Sequence, residues 1–354
     1  MMHLGTSVPR ALRSLVVASF ASLVALVPRP ASAGPETALR ELASGQIKKG
    51  VRSIGMGGDG ATWGNYSLVY NDAETALLDY GIVRYTDTGS TASFTAVAFT
   101  SPRFWDDAAL YLIALSQHGS DLRVWTLTPA APGKPPSTGD GSNQAVFLKL
   151  AKPLTKTLSL GILLSYELSQ MTLVPDHGGA PIRFETSWRP SGGAGLTWRA
   201  APWLLTGVRV ILGHDEETRT QGSAVKTGFL RSYEYRAGAS LMLWPGGVLD
   251  GGVAVLDRNN GLEGTKSLAA GPTVGVEQAL VPRKVWIRAG LDETTWGGGM
   301  SVKLGPFKVD LAYLHDMAAA RTNDVFGRKN VAFFGTLTYD YAGLRKLISP
   351  PHAR

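Results

Sequence analysis

Residues 157–169 have the sequence TLSLGILLSYELS. Every second residue from Leu158 to Leu168 is apolar, and the residues between them are small or polar except for Leu163. A repeat of two residues with one apolar face predicts a β-strand that is buried on one side only. A soluble sandwich and a membrane barrel both contain such strands, so this segment alone leaves the two architectures open.

The same alternation recurs in residues 233–243, 285–292 and 307–313, where the other face carries charged or small side chains. Between residue 80 and the last segment, residues 331–341, the pattern predicts roughly fourteen strands, and single-chain bacterial barrels have an even number. The charged residues that we expect to face the lumen are Arg209, Glu234, Arg236, Arg288 and Asp310. We therefore predict an all-β fold, a transmembrane antiparallel β-barrel.

The connections between these segments alternate in length. Short turns with proline or glycine separate many of them, whereas the longer polar stretches are residues 116–143, 172–187, 215–226, 257–267 and 317–329. Short turns at one rim and long loops at the other are typical of outer-membrane barrels. This asymmetry favours the barrel over the sandwich.

The first 33 residues have the features of a secretory signal peptide. Arg10 and Arg13 precede the apolar run 15–27, and an Ala-Ser-Ala sequence at 31–33 follows two prolines. The run is too short to span a bilayer as a helix, and the small residues form a cleavage site. We predict export to the outer membrane of a Gram-negative bacterium.

Composition excludes several classes of function. The chain has no cysteine, which rules out disulfides and thiolate metal sites. Its formal net charge is +7, and three of its arginines lie in the predicted leader, which leaves +4 after cleavage. Basic residues scattered among turns do not form a phosphate-binding stripe, so we expect no nucleic-acid partner.

A glycine-rich stretch precedes the strands and contains RSIGMGGDG at residues 52–60. Gly55, Gly57 and Gly60 match the spacing of a dinucleotide-binding loop, but no strand precedes them and no helix follows, so we expect no cofactor. Glycine tolerates backbone conformations that other residues avoid, which suits a compact segment packed inside a barrel. We predict that residues 34–79 form a plug.

This stretch resembles the start of the FadL-like long-chain fatty-acid transporters and of the related PorV-like barrels. The matching residues are Arg52, Gly55, Met56, Gly57, Gly58 and Gly60, followed by Asp72, Thr75 and Ala76. Where that family has Asn-Pro, this chain has Asp79 and Tyr80, while Gly81 is retained. The resemblance implies a fourteen-stranded barrel with an internal hatch, through which hydrophobic molecules such as fatty acids diffuse without nucleotide hydrolysis.

We therefore divide the chain into a signal peptide (1–33), a plug (34–79), a transmembrane barrel (80–341) and a periplasmic tail (342–354). The expected partners are outer-membrane lipid, a hydrophobic small-molecule ligand and the barrel-assembly machinery. The lumen charges are expected to pair with one another or with the plug. An apolar alternation within a loop, which could form a ligand groove or part of a hairpin, consists of Leu122, Val124, Trp125 and Leu127.

No catalytic or metal site is predicted. The chain has neither a Gly-x-Ser-x-Gly elbow nor a His-Glu-x-x-His sequence. The run HDEE at residues 214–217 has metal-binding side chains, but a charge run at a loop is more often a solvated face. A structural or secretion-associated barrel that docks a protein partner is the alternative to transport.

Overall fold

A computed structural model of the protein describes residues 75–86, 89–105, 108–124, 137–175, 178–186, 189–261, 264–292, 295–316 and 330–340. The regular structure in these ranges is β-strand throughout. They contain no helix with the length and apolar character needed to cross a membrane. The predicted signal peptide, most of the predicted plug and the predicted tail lie outside the described residues.

Fifteen strands form one antiparallel sheet. They are β1 (Thr75–Tyr85), β2 (Thr91–Trp105), β3 (Ala108–Val124), β4 (Ser137–Pro153), β5 (Leu158–Pro175), β6 (Ile182–Thr186), β7 (Arg189–Ala201), β8 (Leu204–Gln221), β9 (Ala224–Trp244), β10 (Gly247–Asn260), β11 (Thr265–Val281), β12 (Val285–Asp292), β13 (Thr295–Leu304), β14 (Phe307–Asp316) and β15 (Asn330–Asp340). Strand β1 pairs with β2 on one side and with β15 on the other, which closes the sheet into a cylinder.

Strands β6 and β7 share one position in the wall. Both lie between β5 and β8, β6 against the final residues of each and β7 against the remainder. At the break, the hydroxyl of Thr186 accepts a hydrogen bond from the backbone N–H of Ser169 at 2.8 Å and so replaces a ladder bond. The wall therefore has 14 positions.

This architecture confirms the predicted all-β barrel of about 14 strands. One boundary needs correction, because β1 begins at Thr75 and not at residue 80. In the sequence TALLDYGIVRY, apolar and polar residues do not alternate regularly, so its first residues do not stand out as a half-buried strand. Thr75 and Ala76, assigned to the plug motif, are residues of the wall.

Side chains alternate between the outer surface and the lumen. In β5, the residues from Leu160 to Tyr166 that were predicted on the apolar face are exposed on the outside, while Ser165 and Glu167 are buried inside. The apolar side chains exposed around the cylinder form an outer belt, as expected for a surface that faces lipid.

On strands β13, β14 and β15, aromatic rings lie at both edges of this belt. Phe307 and Tyr339 lie at one end with ring centroids 5.2 Å apart. At the other end Tyr313 contacts Phe333 at 5.1 Å and Trp296 at 5.4 Å. Six residues of β14 separate the two edges, roughly 20 Å of strand, which fits the apolar band of a membrane barrel.

The wall is uneven in height. Strand β9 has 21 residues and β8 has 18, whereas β12 has 8 and β14 has 10. A membrane-crossing strand needs about 9–11 residues. We call the end with the turns β4–β5, β7–β8, β9–β10, β11–β12 and β13–β14 the short-turn rim, and the opposite end the loop rim. The extra length lies at the loop rim. There the first eight residues of β11 extend beyond the end of β12, and pairing with β12 begins only at Thr273.

Four of the five predicted long loops are mostly strand. Residues 116–124 and 137–143 belong to β3 and β4, and residues 172–175 and 182–186 belong to β5 and β6. Residues 215–221 continue β8 and residues 224–226 begin β9, joined by a two-residue turn in which Gly222 has φ 58°. Residues 257–260 and 265–267 likewise extend β10 and β11. Their polar composition reflects their position beyond the apolar belt, where both faces of a strand meet water or polar partners.

Candidate functional site

The lumen has one apolar side. Buried apolar residues project inward from β1 to β6, β8, β14 and β15 and form one cluster: Val83, Ala92, Phe94, Ala96, Ala98, Ile113, Leu115, Leu122, Ala145, Phe147, Leu163, Met171, Leu173, Phe184, Ile211, Ala312, Leu314, Ala332 and Phe334. The interior of a water-filled barrel is polar. We call the part of the wall that this cluster lines the apolar inner wall, and it favours contact with apolar molecules. The same strands also bury inward-facing polar side chains, namely Asp79, Gln117, Asn143 and Glu167.

Gly81 allows two aromatic rings to meet over β1. The rings of Phe94 and Phe334 lie 5.6 Å apart, one from each strand that flanks β1. A Cβ on Gly81 would lie 2.2 Å from Phe94 Cε1 and 2.7 Å from Phe334 Cδ1. Any larger residue at this position would displace both rings, so the glycine sets the shape of this part of the lumen.

The apolar side continues towards the loop rim. Leu122 follows an irregularity in β3 where Asp121 has φ 53°, and its side chain is fully buried on the inner face. Met171 and Leu173 of β5 and Phe184 of β6 are buried in the same cluster. The structure thus places Leu122 in a strand and inside the cylinder; Val124 ends the same strand.

The predicted lumen charges lie on the inner wall, in two groups. In the first, Arg209 and Arg236 are direct cross-strand neighbours on β8 and β9. Glu234 Oε1 accepts hydrogen bonds from Arg209 Nη2 at 2.9 Å and from Arg236 Nε at 2.5 Å. The carboxylate between them offsets the repulsion of two guanidinium groups placed opposite each other.

The second group is almost completely buried. Arg288 Nε lies 2.5 Å from Glu277 Oε2, and Arg288 Nη1 lies 3.4 Å from Asp310 Oδ1. Arg288 Nη2 donates to Ser301 Oγ at 2.5 Å, and Ser301 is also hydrogen-bonded to Asp310. Lys308 Nζ completes the group at 2.8 Å from Asp310 Oδ2. Four adjacent strands are cross-linked by these contacts.

The acidic run at residues 214–217 is divided by the strand alternation. Asp215 and Glu217 are buried inside, whereas His214 is exposed outside. Among the described residues, no three metal-binding side chains come together. The other described histidines, His118 and His315, also lie on outward positions of their strands. Within the described part of the chain, no histidine is therefore paired with a carboxylate inside the lumen.

Several predicted site residues lie outside the described part of the chain: Arg52, Gly55, Met56, Gly57, Gly58, Gly60, Asp72, Trp125 and Leu127. The plug motif and the complete ligand groove therefore remain predictions. Of the motif, Thr75 is buried on the inner side of β1, where its hydroxyl contacts that of Thr100, and Ala76 is half-buried on the outer side.

The apolar inner wall was missed by sequence reasoning. Residues 110–115 read LYLIAL, and residues 331–334 read VAFF. A continuous apolar run without alternation indicates a strand that is buried on both faces. Those runs were the available signal that part of the lumen would be lined by apolar residues.

No protein-family model matches the chain, and no curated protein matches it. Solved structures do resemble it. The toluene transporter TbuX of Ralstonia pickettii superposes with a TM-score of 0.57 at 13% identity, covering 88% of this chain and 98% of that one. The Pseudomonas putida toluene transporter TodX gives a TM-score of 0.53 at 11% identity, covering 82% and 97%.

A Pseudomonas aeruginosa FadL homologue gives a TM-score of 0.52 at 13% identity, covering 89% of this chain and 99% of that chain. At such low identity the similarity concerns the fold. The chain has the 14-stranded β-barrel fold of the FadL-like proteins.

Proposed function

We propose that the protein is a passive channel of the outer membrane that admits hydrophobic small molecules, with fatty-acid-like compounds as the preferred class. The observation that supports it is the apolar inner wall around Phe94, Phe147 and Phe334. A general porin needs a polar, water-filled lumen. A wall of buried phenyl and aliphatic groups instead lowers the free energy of an apolar solute that has left water.

The proposed path has an apolar and a charged side. The clusters around Arg209 and Arg288 face the same lumen from β8 to β14. In the proposed mechanism cargo follows the apolar wall, and the charged groups fix the cross-section of the cylinder and contact the plug. No nucleotide, metal or catalytic step is part of the proposal, and the short-turn rim faces the periplasm.

The test is uptake of a fluorescent long-chain fatty acid by vesicles that contain the purified barrel. F147N places an amide on the apolar wall and should slow uptake at least about tenfold, because burial of a phenyl group contributes about 1.5–3 kcal/mol. V146A changes the next residue, which faces lipid, and should leave uptake unchanged. Folding of each variant is checked by its heat-dependent gel mobility.

Equal uptake by F147N and the unchanged protein would remove the apolar wall from the transport path. If the unchanged protein shows no uptake and co-purifies with a stoichiometric protein partner, the docking alternative is favoured. The predicted groove is tested separately. Replacing Trp125 and Leu127 by Asp should weaken binding of the same fatty acid at the cell surface, and unchanged binding would exclude that groove.

A further inference from the structure

The outer surface has a depression that the proposed transport path does not use. It has a volume of about 450 Å³ and crosses strands β5, β7, β8, β9 and β10. One row of neighbours across these strands runs from Leu160 to Leu196, Val208, Ala237 and Val253. We call this depression the outer groove. Its volume falls in the range of small-ligand sites, about 300–1,000 Å³.

Small side chains produce the outer groove. Ala237 lies between Val208 and Val253, and in the next row Ala194 is flanked by Val210 and Ile162. Arg209 and Arg236 lie beneath the outer groove, and their side chains point away from it into the lumen. The outer surface of a cylinder is otherwise convex. The convex wall of a neighbouring barrel would therefore not fit into this groove.

The outer groove lies within the lipid-facing belt. Trp198 is exposed on the outside of β7, four residues from Ala194 in the direction of the short-turn rim. Tryptophan rings mark the headgroup level of such barrels. The groove therefore begins at the headgroups of the leaflet next to the short-turn rim and extends among its acyl chains. Since strands tilt by about 35–45° in these barrels, a groove across them is inclined to the membrane plane.

Two lysines lie at the rim next to the outer groove. Lys152 of β4 is an outward, exposed neighbour of Leu160 at the edge of the groove. Lys156 is exposed in the turn between β4 and β5. Residues 150–161 and 194–208 contain three basic and no acidic side chains. A long lysine side chain can lie along apolar surface and still place its ammonium group among phosphates.

We propose that the outer groove binds one acyl chain of an anionic phospholipid whose phosphate contacts Lys152 and Lys156. The lipid is supplied by the leaflet at the short-turn rim. This site is separate from the lumen and requires only that the barrel lies in a membrane, so it does not depend on the proposed transport function.

The experiment is native mass spectrometry of the full-length barrel in mild detergent, titrated with phosphatidylglycerol. The unchanged protein should retain one lipid per barrel. A194L/A237L fills the groove, and K152Q/K156Q removes the two charges. K152Q/K156Q should weaken retention about thirtyfold, since each basic residue near an anionic lipid surface adds about 1 kcal/mol. A194L/A237L should weaken retention about tenfold or more, because its side chains occupy the space of the acyl chain.

Two controls match these changes. A289L enlarges an exposed outward alanine of β12. K284Q/K303Q removes two exposed lysines of the same rim, on the opposite side of the cylinder from Lys152 and Lys156. Both should retain lipid as the unchanged protein does. K152Q/K156Q alters only surface side chains and keeps the test valid if the double leucine variant fails to fold.

Four results would overturn the proposal: unaltered retention in both groove variants, equal loss in the controls, a second copy of the chain in place of the lipid, or displacement of the lipid by the fluorescent fatty acid. The last two would assign the outer groove to self-association or to cargo.

Discussion

Replacing Arg288 by methionine tests the buried charge cluster of β11 to β14. The side chain of Arg288 is 2% exposed, those of Glu277 and Asp310 are 5% and 7% exposed, and three hydrogen-bonded groups face the guanidinium. Methionine approximates its volume and removes its charge. Removal of one member of a buried ion pair typically costs about 3–5 kcal/mol, because the opposite charge stays in a medium of low dielectric constant.

The position of each carboxylate narrows this range. Asp310 keeps the ammonium of Lys308 at 2.8 Å, whereas Glu277 loses the cation that lay 2.5 Å away. Because Asp310 keeps a cation, we expect R288M to lower the free energy of unfolding by about 3 kcal/mol, the lower end of this range. E277Q/R288M removes both charges and should lose only about 1 kcal/mol, since a neutral amide is cheaper to bury.

The assay is urea unfolding of the barrel in lipid vesicles, followed by tryptophan fluorescence. R84M is the control, because Arg84 is exposed on the outside of β1, and it should change the free energy of unfolding by less than about 0.5 kcal/mol. If R288M costs no more than R84M, or if the double variant is less stable than R288M, the cluster does not stabilise the cylinder as argued.

Three further substitutions test the geometry of the wall, each by the same unfolding assay. G81V should cost about 1–3 kcal/mol and should alter fatty-acid uptake, since its side chain would overlap the ring of Phe94; normal stability with normal uptake would refute the close contact. G222A should cost about 1–2 kcal/mol, because the backbone of the β8–β9 turn is left-handed at this residue, and an unchanged midpoint would show that the turn rearranges freely. T186V removes the hydroxyl that is bonded to the backbone N–H of Ser169 and should cost about 1–3 kcal/mol; equal stability would mean that the break between β6 and β7 needs no such bond.

Sequence reasoning recovered the cylinder because its outer face meets a uniform solvent. Lipid favours apolar residues at outward positions within the membrane, so residues 158–168 of β5 and 307–313 of β14 show a regular alternation. The charged inward residues, such as Arg209 and Arg288, can also be predicted from the sequence, because a charged side chain in the membrane region has to face the lumen and not lipid.

The inner face has no such uniform rule. Inward positions carry the ion-paired Glu234 in one place and the fully buried Phe147 in another, and no local pattern distinguishes them, because the difference depends on which strands share a side of the lumen. The turn at Gly222 was taken for a long loop because polar residues continue the strands beyond the lipid belt. Both features depend on contacts between strands, so neither can be predicted from the sequence of a single strand.

The run LYLIAL at residues 110–115 has a consequence for biogenesis. Segments of this length with high β-propensity, no charge and no proline readily stack with identical copies into cross-β aggregates. Inside the finished cylinder both edges of β3 are occupied by β2 and β4, and this hazard is absent. Before those neighbours have paired with β3, the segment is exposed to aggregation, so we expect the nascent polypeptide to need a holding chaperone on its way to insertion. We therefore expect the cellular yield of this protein to depend on chaperone capacity during transit more than on the stability of the mature fold.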